Sequence, residues 1–155
     1  MPEGPEVRII VDQLNNLLIN TTINEFVINS GRYSKKAPDN YQDFINSLPL
    51  KILGVKCKGK FIYFECEKNW KIWNTLGMTG GWKLNKEKYG HLSLITDKVP
   101  IYFDDYRNFG TIKFSNSISD FNKKMKDLGV DVLTDDFTIE KFLKIINNKR
   151  YQKKT

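Results

Sequence analysis

Along residues 4–20 apolar side chains return every three or four positions, at Val7, Ile10, Val11, Leu14, Leu17 and Leu18. That spacing predicts an amphipathic helix, and Pro5 suits its first turn, where the missing N–H costs nothing. The period then changes. Runs rich in β-branched and aromatic residues follow at 23–28, 51–58, 60–67, 71–76, 81–84, 91–96, 101–104 and 111–114, punctuated by Gly31, Gly59, Asn69, Gly80 and Gly90. Short strands with turn residues between them predict antiparallel pairing in a sandwich or barrel. Past Ser115 the helical spacing returns, in 116–128 through Phe121, Met125 and Leu128, and in 138–148 through Phe142, Ile145 and Ile146. Gly129 closes the first of these helices, and the TDD at 134–136 reads as linker and cap for the second.

The expected fold is therefore α+β and mainly β: an N-terminal helix packed on an antiparallel two-sheet β-sandwich of about eight strands, followed by helices. Residues 1–133 form the expected N-terminal domain, with 134–155 as linker and first helix of a second. That last helix needs a partner for its apolar face, so the chain reads as the N-terminal part of something longer.

Composition narrows the partners. At 155 residues and 40% hydrophobic content the chain builds one full core. A net charge of +7 favours a polyanion such as nucleic acid, against the plainer alternative of a mildly basic soluble protein. Cys57 and Cys66 are not a C-x-x-C pair, and with a single histidine, His91, they cannot make a tetrahedral zinc centre. No metal and no cofactor are expected. The sequence contains no apolar run of about 18 residues, so no membrane partner is expected, and an intracellular location, nuclear or cytoplasmic, is. The abundance of Asn, Ile and Lys suggests an A/T-rich coding genome.

Candidate chemistry sits at the start, MPEGPEV. Proline at position 2 is small enough for Met1 to be removed, which exposes a secondary amine. An α-amino group titrates near pH ~8, so part of it is unprotonated at neutrality, and its attack on an aldehyde carbon gives an iminium ion directly. Attached to C1′ of a deoxyribose, that electron sink acidifies the C2′ protons and lets the 3′-phosphate leave. Glu3 is placed to move the accompanying protons. Glu6 lies one turn on; its alternative role is to complement the positive end of the helix, worth about 0.3–1 kcal/mol.

MPEGPEV resembles the opening of the formamidopyrimidine-DNA glycosylase and endonuclease VIII family. Gly4 is closer to the endonuclease VIII-like branch, which favours oxidised pyrimidines. The resemblance implies a bifunctional DNA glycosylase/AP lyase of base excision repair. Its Pro2 would form a Schiff base, β,δ-elimination would follow, and its partner would be damaged double-stranded DNA bound by a monomer. Further segments match in order. TLGMTG at 75–80 and DYRNFG at 105–110 look like the family's void-filling loops, with Met78 and Arg107 replacing the everted nucleotide and Phe109 wedged into the opposite strand. Such wedges offset the cost of unstacking a base. Taken alone, Met78 and Phe109 would read as core residues.

In KGKFIYF, Lys60 matches the family lysine that holds a phosphate beside the lesion; a solvated turn lysine is the alternative. His91 matches a histidine near the DNA backbone, with a packed imidazole as its alternative. Arg32 and the Lys35/Lys36 pair could touch phosphates, with a solvated loop as the alternative. Thr75 stands where the family commonly has histidine, Tyr106 where it has proline, and Asn108 where it has a basic residue. The resemblance covers the chain but about half of a family member, without its complete helix-two-turn-helix segment or finger. A fragment is thus expected to be weak or inactive alone. The alternative function is a catalytically incompetent DNA-binding module; a plain interaction domain fits the motifs least.

Overall fold

The computed structural model describes residues 4–129. It opens with α1 (Gly4–Leu18), whose buried stripe is Val7, Val11, Leu14 and Leu18, as the periodicity predicts. Eight antiparallel strands follow: β1 (Thr22–Ile28), β2 (Leu50–Lys58), β3 (Phe61–Cys66), β4 (Lys71–Thr75), β5 (Gly80–Lys83), β6 (Gly90–Thr96), β7 (Pro100–Asp105) and β8 (Thr111–Ser115). Each of the eight predicted runs contains one of them to within a residue or two.

The strands hydrogen-bond in the order β5-β7-β6-β1-β2-β3-β4-β8. Between β1 and β2 the pairing is confined to Thr22↔Lys51 and Ile23↔Leu50, and there the sheet folds over on itself. The fold brings distant strands face to face. Phe26 of β1 meets Phe114 of β8 edge-on at 5.1 Å, and Phe64 of β3 meets Trp82 of β5 at 5.4 Å. Two sheet halves thus enclose one core, with side chains alternating inward along strands such as β2.

The sequence pattern predicts no element between β1 and β2, but two short helices lie there: α2 (Arg32–Lys35) and α3 (Tyr41–Ser47). One anchor explains α3. Phe44 is fully buried, stacked on Phe114 at 4.3 Å and edge-on to Trp70 at 5.5 Å. Burying such a ring contributes about 1.5–3 kcal/mol, enough to hold a helix too short to stand alone. After β8 comes α4 (Ile118–Asp127), capped by the Ser117 hydroxyl, which accepts from Asp120 N at 3.2 Å. Phe121 docks it edge-on to Tyr63 at 4.9 Å. The second predicted helix, 138–148, and the domain boundary at 134 lie outside the described residues.

Candidate nucleic-acid interface

Strand register decides which candidate residues share a place. Ile62 pairs with Asn74, and Asn74 with Ile112. It follows that the β2–β3 turn holding Lys60, the 76–79 loop and the loop leading into β8 all emerge at one end of the sandwich. The helix points the same way. Asn20 N donates to Ile52 O, and Asn15 Oδ1 accepts from Val55 N at 2.8 Å, so going back along α1 leads toward the Lys58–Phe61 turn. From Asn15 to Gly4 is about 16 Å at 1.5 Å per residue, and Val55 to Gly59 about 14 Å along the strand. Glu6, exposed in the first turn of α1, belongs to this end. Pro2 and Glu3 lie outside the described residues.

The two loops are built as one unit. Asp105, only 2% exposed, accepts from the Thr79 hydroxyl at 2.6 Å through Oδ1 and from Gly110 N at 2.8 Å through Oδ2. The same Thr79 oxygen accepts from Arg107 N at 2.9 Å. Gly77, at φ 61°, lets the loops close: a Cβ there would sit 2.7 Å from the Phe109 carbonyl carbon. On this locked base the apolar candidates are presented to solvent, Met78 at 48% and Phe109 at 58% exposed. Arg107 is exposed too, and its guanidinium has no hydrogen-bond or ion partner among the described residues. Large exposed apolar side chains held by a rigid base are costly in water, and they mark a contact surface.

Arg32 and His91 brace the second loop from outside. The Arg32 guanidinium donates to Gly110 O at 3.2 Å and Asn108 O at 3.4 Å. His91 Nε2 lies 3.0 Å from Asp105 O, and because a carbonyl only accepts, that nitrogen carries the hydrogen. Its Nδ1 lies 2.8 Å from Ser30 Oγ. Gly31, at φ 83°, makes room for this, since a Cβ there would meet Asn108 Oδ1 and His91 Cγ at 2.7 Å. Lys60 is exposed at the hairpin turn.

Sequence reasoning missed Asp105 and Thr79. The aspartate of DYRNFG was visible as a motif position, but nothing local says that its partner stands 26 residues away. Among the described residues no group of three or more His, Cys, Asp or Glu stands ready for a metal ion, and no helix is long and apolar enough to cross a membrane.

The molecule is thus a helix-on-sandwich domain with a two-loop prong at the end from which its first helix starts. The family model described as formamidopyrimidine-DNA glycosylase N-terminal domain matches residues 1–112, and the chain belongs to that family. The formamidopyrimidine-DNA glycosylase of Wolbachia sp. subsp. Drosophila simulans (strain wRi) is 27% identical over 97% of this chain and 56% of its own length. That of Thermus thermophilus is 30% identical over 72% of this chain and 39% of its own. The chain therefore spans about half the length of the curated relatives it matches. Among solved structures, the MutM (Fpg) protein of Thermus thermophilus superimposes with a TM-score of 0.63 at 29% identity, over 73% of this chain and 40% of that one. A Lactococcus lactis Fpg complex with DNA and an inhibitor shares the fold at TM-score 0.70 and 22% identity, over 81% of this chain and 47% of that one.

Proposed function

We propose that the chain is the catalytic N-terminal part of a bifunctional DNA glycosylase/AP lyase of base excision repair. In this reading its second domain begins near residue 134, and it acts as a monomer inside the cell. The observation that carries the reading is the prong: Met78, Arg107 and Phe109, solvent-facing on two loops locked by Asp105, at the end from which α1 starts. A thioether, a planar cation and an aromatic ring each suit a base face. With Met1 removed, the Pro2 nitrogen attacks C1′ of the damaged nucleotide. The base leaves with its bonding pair, and the sugar ring opens as the iminium forms, with Glu3 supplying the proton to the ring oxygen. Loss of a C2′ proton then expels the 3′-phosphate, and a second elimination expels the 5′-phosphate. Glu6 sits beside this start, and Lys60 is the candidate to hold a neighbouring phosphate.

Support for DNA as partner comes from relatives named as glycosylases and from a Lactococcus lactis Fpg solved with DNA containing an oxidised pyrimidine. Preference for oxidised pyrimidines, as in the endonuclease VIII-like branch, rests on Gly4; the relatives named above carry the Fpg name.

Borohydride trapping on an abasic oligonucleotide tests the chemistry. A covalent adduct is expected from the full-length protein whose first residue is Pro2, and its loss in the double variant Pro2→Gly with Glu3→Gln. Pro2→Gly alone is a poor control, because glycine also offers an amine. Absence of any adduct, or equal trapping by the double variant, overturns the reading.

A further inference from the structure

Beside the prong runs a groove of about 510 Å³, lined by the outer ends of β4 and β8, the segment 32–39 and α4. Its charges are lopsided: Arg32, Lys36, Lys113 and Lys124 against Asp39 alone. None of the four cations has an ion-pair partner among the described residues. Two of them roof aromatic rings. Lys113 Nζ lies 4.9 Å from the Trp73 ring centroid, and Lys124 Nζ 5.2 Å from that of Phe61. With those rings 9% and 5% exposed, an occupant meets the ammonium groups more than the π-faces. The lining also holds a donor without an acceptor, since buried Trp73 Nε1 has no partner among the described residues.

The groove begins at the prong's root. Thr75 and Thr111 line it, joined through their hydroxyls at 2.6 Å; the first leads into the loop of Met78, and the second follows the loop of Phe109. Lys113 lies two residues along β8 from Thr111, about 7 Å at 3.4 Å per residue. A DNA strand carries one charge per about 3.4 Å of helix axis, so that step of about 7 Å alone corresponds to about two phosphates.

We propose that this groove is a second DNA-backbone track, holding the phosphodiester chain of duplex DNA that flanks the prong through Lys36, Lys113 and Lys124. The proposal rests on the DNA-binding reading above and extends it to Lys113 and Lys124, which no motif marks.

The test is the salt dependence of binding to a fluorescein-labelled duplex carrying a tetrahydrofuran abasic analogue, followed by anisotropy with the whole chain. Each phosphate neutralised contributes a slope of about 0.9 in log K against log salt. The triple variant Lys36→Gln, Lys113→Gln, Lys124→Gln is expected to flatten that slope by about 2 to 3. A charge-matched control, Lys51→Gln, Lys68→Gln, Lys98→Gln, alters exposed lysines at the opposite end and is expected to leave it nearly unchanged. Equal slopes for the two variants overturn the groove and leave the prong reading standing. No salt-dependent binding by the unmodified chain overturns both. Should the triple variant fail to match the unmodified chain by circular dichroism, Lys36→Glu, at an exposed side chain, replaces it. It must flatten the slope more than Lys98→Glu does, and parity between them counts against the groove.

Discussion

At Asp105 a carboxylate 2% exposed is satisfied by a hydroxyl and a backbone N–H, with no cation paired to it among the described residues. Both donors point at oxygens, and both need an acceptor. Asp105→Asn keeps the shape and breaks that logic. If the remaining oxygen serves Gly110 N, the new amide faces the Thr79 hydroxyl as a second donor and leaves that O–H without its acceptor. The expected loss is about 2 kcal/mol in urea unfolding, the range for a buried hydrogen bond to a charged group. The wedge side chains themselves should tolerate truncation, because Met78 and Phe109 are about half exposed. A cost at the supporting residue with none at the presented ones distinguishes a platform from a core.

On the scale of elements, α1 and the eight strands were legible because each carries its own period, 3.6 or 2, over enough residues to be read. The short helices α2 and α3 were not. Four and seven residues hold too few repeats, and α3 forms because Phe44 finds Trp70 and Phe114, contacts made across the fold. The site divides the same way. LGMTG and DYRNFG announced the loops and their exposed residues, whereas the tie between them is tertiary, as are the two carbonyls that occupy Arg32. Gly77 links both levels, being a turn glycine with positive φ and also a place where the two backbones leave no room for a Cβ. Gly77→Ala is expected to cost about 2 kcal/mol or more, since a left-handed alanine costs about 1–2 and the Phe109 backbone must also move. Chevron or equilibrium urea melts would measure it, and a loss below half that figure would mean that the loops separate easily.

For the whole molecule, Cys66 ties stability to alkaline pH. Burial pushes its thiol up to about 12 from 9.0, with Lys71 nearby pulling the other way. The folded state therefore keeps the proton where the unfolded chain gives it up. Its contribution is fully present below pH 9 and is lost as pH rises toward 12. Thermal melts should fall between about pH 9 and 11, and less steeply in Cys66→Ala, which starts from a lower melting temperature because of the cavity it leaves. In the native protein a thiol reagent at pH 8 should leave Cys66 unmodified until denaturant is added. A Cys66 that reacts at once would show that the β3–β4 end of the core opens readily.

The knot at Asp105 has a consequence for descent and for engineering. Neither prong loop is portable alone. Grafting a relative's 76–79 segment without threonine at its fourth position strands the carboxylate, and importing a foreign 105–110 segment that lacks the acid leaves that hydroxyl and the Gly110 amide unserved. The two stretches, 26 residues apart, have to be exchanged as a pair.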